Sequence, residues 1–231
     1  MKVLSLDTST LMATCAVIEN NKLVGEYSVN QDMSHSENLM PMIEELFKNL
    51  KMDIKDIDLY CVAIGPGSFT GLRIGLATMK AFAHLFDKPI VGVSTLEALA
   101  YNMAYSNIVI PMIDARRNRV YTAIYKWEKE ELIEVLSPQV LEVDHLLDEA
   151  SKYDNVSLIG DGTDYYKEKI SEKLKDKAQI ARLNQNVCKA GSVGEIGLMK
   201  YKKGYKDDYF TLAPSYLRET QAQRELKERQ K

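Results

Sequence analysis

The sequence predicts an α/β protein of two similar lobes, each a mixed β-sheet flanked by helices, and three observations carry this. A meander of three strand-like runs, followed by strands alternating with helices, occurs twice along the chain. The first strand of each pass ends in an aspartate, Asp7 and Asp114. No Pro- or Gly-rich linker separates the passes, so two acidic loops are expected to face each other across a cleft. The predicted division is residues 1–105 and 106–218, followed by a polar tail at 219–231.

In the first pass, residues 3–6 alternate and end at Asp7-Thr8-Ser9, and strand-like runs follow at 14–18 and 23–29 around an Asn20-Asn21 turn. Ser34 with Glu37 makes a capping box before an apolar periodic stretch to Leu50. Residues 59–64 read as a buried central strand, 72–86 as a helix with Thr70 as its N-cap, and 90–93 as a strand. Ser94 with Glu97 caps a further helix. The second pass has strands at 108–113, 120–127, 132–136 and 156–159, with helices near 144–153 and 164–174. A last helix, 192–203, stops at Gly204 as a left-handed cap.

The 231 residues are 45% hydrophobic and 27% charged, which is ordinary for a globular protein and excludes a disordered chain. The N-terminal apolar stretch breaks at Asp7, too early for a secretory signal, and no run reaches the ~18 apolar residues of a membrane span. Cys15, Cys61 and Cys188 are an odd number at unrelated spacings. They read as buried reduced thiols in the cytoplasm rather than a disulfide or zinc framework. A net charge of −3 argues against a protein that grips a phosphate backbone unaided. Residues 200–231 carry nine Lys or Arg against five Asp or Glu, a local +4 that leaves −7 elsewhere. Tyr201, Tyr205, Tyr209 and Phe210 interleave with these charges. That mixture reads either as an RNA-facing surface or, the reading preferred, as a solvated helix end with a packed loop.

Gly65-Pro66-Gly67-Ser68-Phe69-Thr70-Gly71-Leu72-Arg73-Ile74-Gly75 follows an apolar strand and opens a helix. Together with Asp7-Thr8-Ser9, His35-Ser36-Glu37 with Leu39 and Pro41, Gly160-Asp161-Gly162, and Pro214-Ser215-Tyr216-Leu217-Arg218, this string resembles the TsaB (YeaZ-like) family over about residues 1–218. The resemblance implies a duplicated RNase H-like fold, that of actin-like ATPases, Hsp70 chaperones and sugar kinases. It also implies a non-catalytic subunit for transfer of a threonylcarbamoyl group to N6 of adenosine 37 in tRNA. The implied partners are a catalytic TsaD-like sister, a TsaE-like ATPase, and tRNA through the complex. No membrane is involved, and the chain alone is expected to form a homodimer.

In that superfamily two aspartate hairpins grip the phosphates of ATP, which places Asp7, Thr8, Ser9, Asp114, Arg116, Gly160 and Gly162 along a nucleotide-facing cleft. The cleft reads as degenerate. Ala115, Arg116 and Arg117 stand where close phosphate approach needs small residues, and short side chains such as Asp7 to Ser9 also serve simply to satisfy a tight hairpin. No cofactor is expected on the isolated chain, and ATP with magnesium only in the assembled complex. The TsaD-like sister carries two metal-binding histidines four apart on a helix, where this chain has Thr95 and Leu99. His35, His84 and His145 are isolated, so no metal site and no catalytic residue are assigned. Ser68 echoes a nucleophile elbow, but Pro66 and Thr70 occupy the places of its glycines. An independent ATPase or kinase, and a peptidase, are the competing readings.

At 100° per residue, the only polar cluster of the 71–86 helix is Arg73, Lys80 and His84, within about 40° of one another. The 34–50 helix shows an apolar arc of about 160°. Such coverage exceeds the single stripe of a surface helix, and it reads either as deep burial in a large core or as helices that pack on their own sheet and also present apolar surface to a second protein. TsaB-like proteins pair with the sister through these two helices, so the partner interface is assigned to Met40, Met42, Ile43, Phe47, Gly71, Arg73, Gly75, Met79 and Phe82.

Overall fold

The computed structural model describes residues 1–30, 35–104 and 106–217. Ser34, the expected first half of a capping box, and the tail at 219–231 lie outside these residues.

The first sheet holds β1 (Lys2–Asp7), β2 (Met12–Glu19), β3 (Lys22–Asn30), β4 (Leu59–Gly65) and β5 (Ile90–Ser94) in the order β3-β2-β1-β4-β5. The meander β1-β2-β3 is antiparallel, whereas β4 and β5 join parallel through α1 (His35–Leu50) and α2 (Phe69–Leu85). The second sheet repeats the plan. Its strands β6 (Ile108–Asp114), β7 (Arg119–Glu128), β8 (Glu131–Glu142), β9 (Val156–Ile159) and β10 (Ala178–Ile180) lie in the order β10-β9-β6-β7-β8, with an antiparallel meander and two parallel additions. The remaining helices are α3 (Thr95–Tyr101), α4 (Val143–Ala150), α5 (Gly162–Tyr165), α6 (Lys167–Leu174) and α7 (Ala190–Lys202).

Strand alternation decides which helices cover which face. On β1, Leu4 and Leu6 point into a core with Leu39, Leu46 and Met79 from α1 and α2. Val3 points to the opposite face and meets Val193, Ile196 and Leu198 of α7. The second sheet buries one face under α4 and α6, and the other under Leu96, Leu99 and Ala100 of α3. Thus α3, which closes the first pass in sequence, lies between the two sheets, with Ala98 toward the first and Leu96, Leu99 and Ala100 toward the second, and α7, which closes the second pass, packs on the first sheet. The expected 106–218 lobe is corrected accordingly: its end, from Ala190 onward, belongs to the first sheet by packing.

Several local expectations also change. Ser68, not Thr70, caps α2, its Oγ accepting from the Gly71 N–H at 3.2 Å. The helix expected at 164–174 is two, split at Tyr166. The strand at 132–136 extends through Pro138, which an edge strand tolerates. Ser94 caps α3 as expected, and Gly204 adopts φ +91° after α7. All three cysteines are free and buried. Among the described residues no helix is long and apolar enough to cross a membrane.

The assigned interface needs the largest correction. Met42, Ile43, Phe47, Gly71, Gly75 and Met79 are buried in the chain's own core, Met79 at 0% exposure. Phe82 is half-buried with its ring 6.1 Å from that of Tyr60. Only Met40, at 41%, and Arg73 are exposed. The apolar circumference of α2 arises because two surfaces claim it: the sheet on one side, and on another a strap formed by residues 205–217. The strap forms a bridge from Asp207 to Ile90, and the Asp207 carboxylate accepts from the Gly92 N–H at 2.7 Å. Ser215 N donates to Ile64 O at 2.7 Å, and Leu212 enters the first core.

At Gly75 a Cβ would overlap Thr8 Oγ1. Gly75→Ala should therefore lower the stability of the isolated chain. Overpacking costs ~1–3 kcal/mol, which outweighs the ~1 kcal/mol that alanine gains in a helix. Urea unfolding followed by circular dichroism tests this. A residue facing only a partner would instead leave the isolated chain equally stable or more so.

Candidate functional site

The cleft end of the first sheet is built from the hairpin after β1 and the turn before α2. Asp7, Thr8 and Ser9 are all buried, at 2% exposure or less. The Asp7 carboxylate accepts from the Ser9 N–H at 2.7 Å, closing the hairpin on itself. Thr8 Oγ1 donates to Gly71 O at 2.8 Å, and Ser68 N donates to Ser9 O at 2.6 Å. Ser9 Oγ lies 3.9 Å from Cys188 Sγ, a residue from the far end of the chain. The loop's donors thus turn inward, toward the α2 turn and Cys188.

Across the cleft, the Asp114 carboxylate accepts from the Arg116 N–H and from the Tyr166 hydroxyl, both at 3.0 Å. Asp161 Oδ1 in turn accepts from the Asp114 N–H at 3.0 Å. Arg116, Arg117 and Asn118 follow in left-handed conformation, φ 60°, 56° and 58°, with both arginines exposed at the tip. Burial, with the Asp114 charge adding to it, pushes the Asp161 carboxyl above the ordinary carboxylate range. Burial and the bond to Asp114 raise the Tyr166 phenol to about 12, so it stays a donor at neutral pH.

Gly160 and Gly162, placed by the resemblance along the nucleotide-facing cleft, pack closely on the second sheet. A Cβ on Gly160 would overlap the Met112 carbonyl, and one on Gly162 would come within 2.9 Å of it. The space beside the turn is taken by the segment between β10 and α7. Asn186 Oδ1 accepts from the Gly160 N–H at 2.6 Å, and its Nδ2 donates to Thr163 Oγ1 at 3.0 Å. Asn102 Nδ2 donates to the carbonyls of Gln185 and Val187. Ser192 Oγ completes the tie by donating to Asn102 Oδ1 at 2.6 Å. One segment therefore binds the adenine-side turn, α3, α7 and, through Cys188, the Asp7 loop.

The remaining candidates are dispersed. Thr95 and Leu99 are buried where α3 meets the second sheet, and Leu99 offers no ligand atom. His145 is exposed on α4, and the His84 ring sits 5.2 Å from Tyr209 and 5.3 Å from Phe210. Ser68 Oγ is spent as a helix cap. Sequence reasoning singled out neither Tyr166 nor Asn186. The split of the predicted 164–174 helix beside Asp161 was the nearest signal for Tyr166, and none marked Asn186.

These features define a two-lobed protein of the actin-like and sugar-kinase fold whose two aspartate loops are hydrogen-bonded within the chain. A family model described as "TsaD: tRNA N6-adenosine threonylcarbamoyltransferase" matches residues 22–226. The tRNA threonylcarbamoyladenosine biosynthesis protein TsaB of Bacillus subtilis is 31% identical over 233 residues, covering 100% of both chains. Among solved structures, YeaZ from Pseudomonas aeruginosa superposes with a TM-score of 0.79 at 24% identity, over 94% of this chain and 99% of its own. A polyphosphate/ATP-glucomannokinase from Arthrobacter gives 0.53 at 11% identity, over 86% and 99%. The chain belongs to the TsaD family in its broad sense and, within it, to the TsaB proteins of tRNA threonylcarbamoyladenosine biosynthesis.

The acidic pair makes a pH test. Asp161 has a higher pKa folded than unfolded, so its contribution to stability is full below the ordinary carboxylate value and is lost as pH rises through the raised one. Asp161→Asn keeps an Oδ1 acceptor for the Asp114 N–H and cannot ionise. Its stability relative to wild type should therefore rise as pH goes from about 4 to about 7. Parallel urea titrations at both pH values measure the difference, and a constant gap would contradict the raised pKa.

Proposed function

We propose that this chain is the non-catalytic partner subunit required for threonylcarbamoyl transfer to N6 of adenosine 37 in tRNA. It acts in the cytoplasm by pairing with and activating a TsaD-type catalytic subunit. A TsaE-type ATPase joins the complex, tRNA is met through it, and ATP with magnesium belongs to the assembly rather than to this chain. The observation that carries the reading is the internal bonding of the loops that the fold's kinases turn toward a nucleotide: Thr8, Asp114 and Gly160 are each bonded within the chain. Leu99 supports it by standing where the sister would hold a metal. The pairing surface is the outer side of α1 and α2, where Met40 is 41% and Leu85 72% exposed. In the absence of the sister, a second copy covers the same surface.

Reconstitution tests this reading, using sister, ATPase, threonylcarbamoyl-adenylate and tRNA. Omitting the chain should stop multiple turnover. Asp114→Asn should change the rate by no more than a few-fold, whereas loss of a catalytic group costs ~10²–10⁴. Leu85→Asp should reduce modification strongly, and excess subunit should partly restore it, because mass action overcomes a weakened interface but not missing chemistry. An Asp114→Asn protein that is dead and not rescued by excess would make the subunit catalytic.

A further inference from the structure

We propose that the loops following β6, β9 and β10 hold a single-stranded segment of the tRNA, so that this chain touches the RNA itself and not only through its sister. This rests on the partner reading above and adds where the chain meets the substrate. The three strands run parallel, so their carboxyl ends open onto one edge of the second sheet, the edge at which α/β sheets take their ligands. The loop after β6 carries Arg116 and Arg117, the segment after β9 carries Tyr165, and the loop after β10 carries Arg182. Bonds already described make these segments neighbours. The Tyr166 hydroxyl, next in sequence to Tyr165, donates to Asp114, and Asn186, on the loop of Arg182, accepts from the Gly160 N–H.

Arginine usage singles out this edge. Among the described residues, every ion pair takes its cation from lysine. Arginine grips a carboxylate better than lysine does, yet no described arginine is used in that way. Arg73 is bonded to Tyr216 and Arg119 opens β7, which leaves Arg116, Arg117 and Arg182. All three are exposed. Arg116 and Arg117 also hold left-handed backbone, φ 60° and 56°, which Gly or Asn would adopt at less cost. The tip is kept in that form by the Asp114 carboxylate, which accepts from the Arg116 N–H, and by the Ala115 N–H, which donates to Arg119 O at 2.9 Å. Strain held at a tip that presents two unpaired guanidinium groups is a mark of a binding loop.

The Tyr165 ring is 64% exposed and, among the described residues, stacks on no other ring. The aromatic residues of the basic tail differ in this. Tyr209 and Phe210 meet His84 and each other, and Tyr216 stacks on Phe69, so their faces are already taken. A free ring with planar guanidinium groups nearby suits an unstacked base and its phosphates. Residues 114–119, 160–166 and 181–189 together hold five Arg or Lys against three Asp, in a chain of net charge −3. A protein partner fits less well. Among the described residues of these loops, Leu183 is the one large aliphatic side chain exposed, short of the apolar centre that a protein interface buries. Three cations do not grip tRNA unaided, so the contact adds to the hold of the assembled complex.

The test uses the complex of this chain with its sister and measures tRNA affinity from about 50 to about 200 mM salt. Arg116→Gln combined with Arg117→Gln should raise the dissociation constant about tenfold or more at the lower salt. It should also flatten the log–log salt slope by ~1.4, the loss of two single-strand phosphate contacts. Arg182→Gln, on a separate loop, should flatten it by ~0.7 and keeps the test open if the strained tip rearranges. Tyr165→Ala should raise the constant about fivefold or more with the slope unchanged, whereas Tyr165→Phe should stay within about twofold, because stacking needs the ring and not the hydroxyl. Every altered side chain is exposed, so circular dichroism and affinity for the sister should match wild type in all these variants. Unchanged constants and slopes in the arginine variants would overturn the inference, as would equal losses from Tyr165→Phe and Tyr165→Ala. Sister affinity that falls with the arginines would make the loops a protein interface and overturn it equally. A wild-type complex that does not form, or binds no tRNA, would remove the partner reading together with this one, whereas tRNA binding indifferent to these residues removes this one alone.

Discussion

The bond from the Thr8 hydroxyl to the Gly71 carbonyl, 2.8 Å long, joins the first hairpin to the start of α2. Much of the cleft's character follows from it. With Thr8 turned inward, its side chain fills the space above Gly75, and α2 can lie this close to β1 only because that position carries no Cβ. The bond from Ser68 N to Ser9 O fixes the other side of the same loop. Each such bond nets only ~1 kcal/mol, yet breaking one strands a buried polar group at a further ~1–3 kcal/mol. The hairpin is therefore committed to holding α2, and a hydroxyl so committed is not offered to phosphate.

Local pattern made most of the fold legible. The alternation of β1, the apolar run of β4 and the caps at Ser94 and Gly204 are properties of neighbours in sequence, and all stand where the local pattern puts them. What pattern could not supply was anything settled at long range. The break between α5 and α6 at Tyr166 puts a phenol on Asp114, 52 residues away. β10 is only three residues long and is held by pairing with β9 rather than by any sequence rhythm. The duplicated plan was correctly read, but the place of α3 between the sheets and of α7 on the first was not, because an apolar stripe on a helix does not say which sheet will cover it.

The same limit explains the misplaced interface. An apolar arc wider than one stripe shows that a helix touches more than one thing, without saying whether the second is another protein. For α2 the second surface is the chain's own strap, with Leu212 in the core and Tyr216 stacked on Phe69 at 4.7 Å. Arg73, Lys80 and His84, the one polar cluster of the helix, are the seam along which the strap is held. Contact between residues 73 and 216 has no signature in either segment alone. The Pro214-Ser215-Tyr216-Leu217-Arg218 string was visible as a motif, and only the structure gives its physical purpose.

Contacts that join the lobes without a ligand bear on what the two-lobed architecture is for. In a working member of this fold, binding energy from a nucleotide would be spent on bringing the lobes together. Here Asn186, Cys188 and Asn102 already join the 160–163 turn, the Asp7 loop and α3 through protein contacts. Closure that needs no ligand leaves the outer surfaces in one arrangement. A partner docking on such a surface loses less entropy to ordering than one that must also close the cleft. Under the proposed function, the duplicated fold serves as a preorganised scaffold whose outer surface a second protein reads.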